Sequence, residues 1–261
     1  HGDWSSWWAQ HNEHRILLSR ILFWMEEAWF SGKGLFLLVT NYLLVAGVAI
    51  LFFFIWRERS RGWGASFAVF LSVWLLSWIQ NDNMIWGFQS QFVLAQLLPL
   101  MAFYFLHRAS QSNSHGWRWF AASATCGVMA LGSMANGVIT LPLLTLLALA
   151  LRMNHRRVIV LGALSIVGVF LYFHGYQAVG GHGSLTQSLK EIPEGVIDYM
   201  QVYLGGPFYF FLGENPLALM FARIASVVLV VGAILCLQKE LSAPHRSSLA
   251  LAMLCFILYI G

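Results

Sequence analysis

Charged side chains are scarce in this 261-residue chain: they make up 10% of it, whereas soluble domains average about a quarter. With 59% hydrophobic residues and a mean hydropathy of +0.68, the chain has too little polar surface for a water-facing fold. These values exclude a disordered chain and an ordinary soluble enzyme. The three cysteines all lie inside apolar runs and form neither a disulfide framework nor a metal-type pair. The sequence therefore predicts an integral membrane protein.

Nucleotide-binding motifs are also missing. The chain has no Walker A loop, no dinucleotide-binding glycine pattern and no serine nucleophile elbow. The sequence therefore does not support a cytosolic enzyme that is driven by nucleotide binding or hydrolysis. The net charge of +4 does not indicate a nucleic-acid partner, because the basic residues fall in short clusters between apolar runs. We expect the chain to contact membrane lipids and to bind no nucleic acid.

Long apolar runs dominate what is present. A helix that crosses about 30 Å of hydrocarbon needs about 20 apolar residues, and the run 35–56 meets this requirement. Shorter runs follow, which we expect to span with tilt or local thinning: 65–79, 92–106, 119–134, 138–151, 158–173, 217–237 and 249 onward. The stretch 119–151 predicts either two short spans or a re-entrant hairpin. The expected fold is an all-α, polytopic helical bundle of about 7–8 spans.

The connecting segments alternate in charge. Ten of the 15 basic residues lie in four of them: 57–61, 108–118, 152–157 and 239–246. The positive-inside rule places this set in the cytoplasm. The other set then faces outside and contains nine of the eleven acidic residues: 1–34, 80–91 and 174–216. Because the chain begins at His1 and stops within an apolar run, we interpret it as a fragment that lacks an N-terminal span and a C-terminal part.

The two long outer segments are expected to contain helices that lie on the membrane surface, while residues 35–261 form the transmembrane bundle. In the later segment, Pro193 suits the first turn of a helix and Gly205 suits its end. In residues 1–34, a helix from Asn12 onward would place polar groups beside an apolar stripe. We expect this first helix to hold polar side chains over a membrane-borne substrate.

The first outer segment concentrates the polar chemistry. Carboxylates, histidines and arginines lie there among tryptophans: Asp3, His11, Glu13, His14, Arg15 and Arg20. If the chain is helical from Asn12, Glu13, Arg20 and Glu27 follow at i, i+7 on one face. The alternative interpretation is an aromatic-belted helix with solvated charges. Because charged residues are so scarce elsewhere, we favour a functional site.

A divalent metal is a rival use of the same residues. His11 and His14, with Asp3 or Glu13, have the chemistry to ligate Zn²⁺ or Mn²⁺. Their spacing is three residues, whereas the zincin pattern places its histidines four apart. We therefore assign no required cofactor and no protein-bound metal, and keep a divalent ion at His11 and His14 as the alternative.

A second polar segment lies between apolar runs at residues 80–91. Asp82 there is a further outer carboxylate, and Gln89 provides an amide of the kind that binds sugar hydroxyls. Helix capping is the competing explanation for such polar residues. Arg223 lies just inside the run 217–237, where a cation either faces a polar cavity or snorkels outward. Its planar guanidinium suits bidentate contact with a phosphate.

Residues 12–15, Asn-Glu-His-Arg, close a tryptophan-rich outer segment that begins with an acidic residue. This pattern, with the polar segment 80–91 and the long segment 174–216, resembles the bacterial GT-C superfamily of integral-membrane glycosyltransferases. Members use polyprenyl-phosphate sugar donors. The motif itself lies in the first outer segment alone, and the rest of the likeness is one of topology.

The resemblance implies an inverting sugar transfer at the extracytoplasmic face of the bacterial inner membrane, to a lipid or glycan acceptor of the envelope. In the family an acidic residue of the first outer loop is the catalytic base, which matches Asp3 here. Many members have paired acids at this point, so Glu13 is the alternative base. His11, His14, Arg15, Arg20, Asp82, Gln89 and Arg223 are then candidates for binding the sugar and its phosphate.

Two other functions fit the same composition. A transporter or flippase would use Arg223 and Asn136 along a substrate path, although transporters place polar residues at mid-membrane. An envelope glycan polymerase or ligase would use a lipid-pyrophosphate donor in place of the monophosphate. Both functions are compatible with the same polytopic bundle. A flippase differs from a glycosyltransferase because it leaves its substrate covalently unchanged, and a polymerase or ligase differs in its donor.

Overall fold

The computed structural model describes residues 5–59, 64–75, 84–112, 115–177, 185–213 and 215–260. Within these ranges the chain is all-α, as predicted, with twelve α-helices and two 3₁₀ helices. The α-helices are α1 (Ser5–Trp8), α2 (Leu17–Phe30), α3 (Leu35–Arg59), α4 (Gly64–Leu75), α5 (Ser90–Gln111), α6 (Gly116–Ala130), α7 (Thr140–Ala150), α8 (His155–Phe173), α9 (Leu185–Glu191), α10 (Pro193–Leu212), α11 (Pro216–Ser242) and α12 (Ser248–Ile260). The 3₁₀ helices are Gly87–Gln89 and Ala135–Ile139.

Four segments of the described chain are long and apolar enough to cross a membrane: Leu35–Glu58, Gly87–Gln111, His155–Phe173 and Pro216–Ser242. The expectation of about 7–8 spans is therefore wrong. The 15 residues of α6 and the 11 residues of α7 rise only ~22 and ~16 Å, which is well short of the hydrocarbon thickness. An apolar run predicts burial of its residues, but it does not fix where one helix stops and the next begins.

The stretch 119–151 is a pair of short helices, α6 and α7. The chain between them contains the 3₁₀ helix Ala135–Ile139. A Cβ at Gly137 would overlap the carbonyl group of Ala130, so this turn requires glycine. Gly132 accepts a hydrogen bond from the backbone N–H of Leu18 at 3.0 Å. The turn is thus packed against the start of α2.

The core of the first compact unit, which comprises His1–Gln177 and Leu251–Ile260, surrounds α5. This helix is the most buried of the four candidate spans. Ser123 of α6 donates to the Ala102 carbonyl at 2.7 Å, and Tyr259 of α12 donates to the Ala95 carbonyl at 2.6 Å. Hydroxyl groups of two neighbouring helices therefore donate to backbone carbonyls of α5, so these buried hydroxyls need no water as a partner.

The helices of the first unit give it two distinct ends. Where α5 begins, Ser90 shares a buried hydrogen bond with Ser19 of α2, with the two hydroxyl oxygens 3.0 Å apart. Where α5 ends, Ala109 accepts from Arg157, near the start of α8, at 3.2 Å. Since α8 begins beside the end of α5, the two candidate spans run antiparallel. We call the end at which α8 stops the strap end, and the end at which it starts the arginine end.

The second compact unit, Ala178–Ala250, contains the helical pair α10 and α11. Helix α10 begins at Pro193, as predicted, but it continues through Gly205 to Leu212, so the predicted stop at Gly205 is wrong. A Cβ at Gly205 would overlap the backbone of Ala222 in α11. The glycine therefore allows two helix backbones to approach closely, as small residues do in membrane bundles.

Candidate functional site

Residues 5–16, which we call the strap, lie across the C-terminal end of α8 and are anchored by Arg15. The Arg15 side chain is buried, with the residue 4% exposed. Its Nε donates to the Tyr172 carbonyl at 2.7 Å, and its Nη2 donates to the His174 carbonyl at 2.7 Å. Its Nη1 donates to the carbonyl of Trp8, whose ring centroid is 5.3 Å from the guanidinium carbon. A cation at the negative end of a helix dipole is favourable.

The strap is tied to the chain after α8 at a second place. Gln10 donates from Nε2 to the Gln177 carbonyl at 2.6 Å and accepts at Oε1 from the Gln177 backbone N–H at 2.9 Å. The Tyr172 hydroxyl donates to the Glu13 carbonyl at 3.1 Å. These bonds and those of Arg15 fix the strap backbone on both sides of Glu13.

Glu13 lies in a turn and not in a helix. The backbones of His11 and His14 exchange two hydrogen bonds, of 2.8 and 2.9 Å, and Asn12 adopts a left-handed φ of 51°. Helix α2 starts only at Leu17, so the predicted helix from Asn12 is wrong. The i, i+7 face of Glu13, Arg20 and Glu27 does not form, because a left-handed residue interrupts the helical path.

His14 supports the turn as a hydrogen-bond acceptor. Its Nδ1 accepts from the backbone N–H of Ala135 at 3.3 Å. Burial lowers the pKa of His14 below its ordinary 6.5, and this effect exceeds the opposing influence of the Glu13 carboxylate. A neutral imidazole has the free lone pair that this contact needs. The strap is thereby joined to the turn between α6 and α7.

Arg20 binds the end of α1. Its Nη1 donates to the carbonyls of Ser6 at 2.7 Å, Trp7 at 3.1 Å and Ala9 at 2.7 Å. Burial, and then the neighbouring positive charge of Arg15, lower the pKa of Arg20. Both predicted arginines of the first outer segment therefore hold backbone carbonyls in place.

The second polar segment reaches the strap in part. Gln89 ends the 3₁₀ helix Gly87–Gln89 and is half-buried, and the ring of its neighbour Phe88 lies 5.6 Å from the His11 ring. Two predicted site residues, Asp3 and Asp82, lie outside the described residues. The structure thus brings His11, Glu13, His14, Arg15, Arg20 and Gln89 to the strap end of the first unit.

Arg223 belongs to the second unit. It lies in α11, and its Nη2 is 2.9 Å from the Asp198 carboxylate of α10. Both side chains are about half exposed, so the pair contributes little to stability. The guanidinium is therefore held in an ion pair, and its proposed contact with a phosphate stays a prediction.

A metal at the strap end also stays an alternative. Among the residues that the structure describes, no three His, Cys, Asp or Glu side chains form a group suited to a metal ion. His11 and His14 are neighbours across the turn, but Nδ1 of His14 already accepts from Ala135. Asp3, the further ligand considered from the sequence, falls outside the described ranges.

Sequence reasoning missed a buried carboxylate at the start of α3. Glu26 is 5% exposed, and its two carboxylate oxygens accept from the backbone N–H groups of Gly34 at 2.7 Å and Leu37 at 3.1 Å. A carboxylate at a helix N-terminus satisfies unpaired N–H groups and complements the dipole. The sequence signal that could have revealed it is the position of Glu26, an acidic residue shortly before the long apolar run 35–56.

It also missed a network at the arginine end. Glu58 at the end of α3 accepts from the Tyr104 hydroxyl at 2.6 Å and from Arg108 at 3.0 Å, and its other oxygen lies 2.8 Å from Nε2 of His107. Three side chains of α5 thus surround one carboxylate of α3. The i, i+3, i+4 spacing of Tyr104, His107 and Arg108 was a visible signal of a shared polar face.

By helix length and hydropathy, the chain is a candidate multi-pass membrane protein with an all-α fold. Compared with known proteins, it matches no family, no curated protein and no solved structure.

Proposed function

We propose that the chain is a bacterial inner-membrane glycosyltransferase of the GT-C type, which transfers a sugar from a polyprenyl-phosphate donor to an envelope acceptor at the extracytoplasmic face. The observation that carries the proposal is the fixed position of the Glu13 turn at one end of the bundle. The turn is closed by two backbone bonds between His11 and His14, and its Glu13 carbonyl accepts from the Tyr172 hydroxyl. The Tyr172 carbonyl in turn accepts from the buried Arg15. Such preorganisation is what a catalytic carboxylate requires.

The reaction needs one base and no acid. The acceptor hydroxyl oxygen attacks the anomeric carbon, the carboxylate takes the hydroxyl proton, and the bond from the anomeric carbon to the phosphate oxygen breaks on the opposite face. The electron pair of that bond leaves with the polyprenyl phosphate, which needs no protonation. The base is one of two carboxylates, Glu13 or Asp3.

The hydrogen bonds of the strap support different proposed roles for Arg15 and Arg20. Arg15 is a positioning residue, because its Nε, Nη1 and Nη2 all donate to backbone carbonyls. Arg20 uses only Nη1 for hydrogen bonds among the described residues, which leaves guanidinium donors for a leaving phosphate. Arg223 lies in the second unit and is paired with Asp198, and its contact with a phosphate stays a separate prediction.

The test is sugar transfer by the full-length protein in proteoliposomes, with a labelled polyprenyl-phosphate sugar and envelope lipids as acceptors. Replacement of the base, Glu13→Gln or Asp3→Asn, is expected to lower kcat by about 10²–10⁴-fold with little change in KM. The matched control is Glu194→Gln, which removes an exposed acid at the start of α10. Its turnover should equal that of the native protein.

Two outcomes contradict the proposal. Undiminished turnover of both base variants removes these carboxylates from catalysis. An absence of transfer by the native protein from every polyprenyl-phosphate donor counts against the class, and transfer from lipid-pyrophosphate donors alone identifies the polymerase or ligase.

A transporter or flippase is the second candidate, favoured by buried polar atoms near the strap end. The Gln91 side-chain oxygen and the Thr140 hydroxyl are buried with no hydrogen-bond partner in the described part of the chain. A buried polar atom without a partner is costly in an apolar bundle, and contact with a polar substrate would satisfy it. The same proteoliposomes separate the two functions, because a flippase moves the labelled lipid across the bilayer without changing its covalent structure.

A further inference from the structure

A cavity of about 400 Å³ lies at the arginine end, on the opposite side of the first unit from the strap. It is lined by the end of α5, the start of α6 and the turn between α7 and α8. Its lining includes Trp117, Arg152, Asn154, Arg156 and Arg157. The volume is within the range of about 300–1,000 Å³ that is usual for ligand pockets.

The lining of this arginine cavity is strongly basic. It contains three guanidinium groups and no carboxylate. Arg152 and Arg156 are exposed, and among the described residues none of the three arginines is in an ion pair with an acid. Three like charges within six positions repel one another, and an anion bound between them would offset this repulsion.

Arg157 shows how one wall of the cavity is fixed. Its guanidinium carbon lies 5.5 Å from the Trp117 ring centroid and 5.8 Å from that of Phe120, and its Nη1 donates to the Ala109 carbonyl at 3.2 Å. Stacking on two aromatic rings and one hydrogen bond hold the charge at the cavity edge. A positioned cation is better suited to a ligand than a mobile surface arginine.

The local helix direction adds to the positive potential. Helix α8 begins at His155, and Asn154 caps it by accepting from the backbone N–H of Arg156 at 3.0 Å. Basic residues in a first turn oppose the helix dipole, whereas an anion there is favourable. The charged side chains and the helix end therefore select the same kind of ligand.

The location identifies the source of the anion. The cavity lies where two candidate spans, Gly87–Gln111 and His155–Phe173, end and begin. The ends of helices that span a bilayer lie at the depth of the phospholipid headgroups. Trp117, which is 57% exposed, is a residue typical of that interface. We propose that the arginine cavity binds the headgroup phosphate of an anionic phospholipid, with bidentate guanidinium contacts.

The test uses native mass spectrometry of the purified full chain titrated with phosphatidylglycerol or phosphatidylcholine. The native protein is expected to retain one phosphatidylglycerol with about tenfold higher affinity than phosphatidylcholine. The double variant Arg152→Gln/Arg156→Gln should lose this preference. The matched control, Arg57→Gln/Arg118→Gln, removes two exposed charges of the same predicted face outside the cavity and should keep it.

The single reversal Arg156→Glu is a second variant, with one exposed side chain changed, and should also abolish the preference. Thermal melts in the same detergent check that every variant is folded. Equal binding of the two lipids by the native protein overturns the proposal, as does an equal loss in the control pair. Displacement of the lipid by millimolar inorganic phosphate would identify a free-anion site and equally overturn the assignment to a lipid.

Discussion

Arginines lie at both ends of α8, but they make different contacts at the two ends. At the C-terminal end, Arg15 donates to two carbonyls of the helix terminus and one of the strap. At the N-terminal end, Arg156 and Arg157 lie in the first turn, where the helix presents N–H groups and no free carbonyls. Helix direction therefore decides which arginines are held by the carbonyl groups of α8 itself, whereas Arg157 is held by the Ala109 carbonyl of α5.

The largest expected loss of stability comes from a substitution at the strap end. Replacing the buried Arg15 by Gln leaves three carbonyls without their charged donor, and we expect a loss of about 3–5 kcal/mol in the free energy of unfolding. Arg156→Gln, at the other end of the helix, should change it by less than about 0.5 kcal/mol because the side chain is exposed. Unfolding in mild detergent with added SDS, followed by tryptophan fluorescence, measures both.

Arg15→Lys is the informative companion. Lysine keeps the charge but lacks the planar fork that reaches several carbonyls at once, so it should recover only part of the loss. Equal stability of the Arg15→Gln and Arg156→Gln proteins would show that the two ends do not differ in the way described.

We expect intermediate losses of stability from substitutions at two helix N-termini, those of α3 and α8. The start of α3 is bonded by the buried Glu26 carboxylate, whereas the start of α8 has only the Asn154 amide cap. We expect Glu26→Ala to cost about 1–3 kcal/mol and Asn154→Ala about 1 kcal/mol in the same unfolding assay. The reverse order would contradict the view that the arginine end leaves room for an external anion at its helix terminus.

The smallest effect is a pH dependence at the strap. Because burial holds the folded-state pKa of His14 below the ordinary 6.5, the unfolded chain binds more protons between these two pKa values. The free energy of unfolding due to His14 is therefore constant above pH 6.5 and falls as the pH drops through that window. The half-exposed position keeps the loss small.

His14→Gln tests this dependence, because the Gln side-chain oxygen can still accept from Ala135 without titrating. Melting temperatures at pH 7 and pH 5 should differ less for the variant than for the native protein. An identical pH dependence of the two proteins would exclude His14 as its source.

Several elements of the fold followed from the sequence. The run 35–56 predicted the first span, and the structure has α3 at Leu35–Arg59; Pro193 marked the start of α10 correctly. The span count failed because apolar runs do not reveal helix ends that depend on tertiary contact. Gly137 is such a case, since it permits a turn against the Ala130 backbone.

Composition singled out the candidate site residues, but it did not predict how they are arranged. The scarcity of charge singled out Glu13 and Arg15, but the Arg15 partners are backbone carbonyls at Tyr172 and His174. Every residue has a carbonyl, so no residue pattern points to these two. The turn at Asn12 was missed for a related reason: a left-handed φ is a local choice that the surrounding bonds stabilise, and helical spacing cannot exclude it.

The strap contacts join residues that are far apart along the chain. Arg15 meets Tyr172 and Gln10 meets Gln177, at separations of 157 and 167 residues. Residues 5–16 are synthesised before α8, yet the carbonyl groups that bind Arg15 exist only after α8 has been made. The strap therefore cannot dock until α8 has formed, and its docking is a late step that closes the strap end of the first unit.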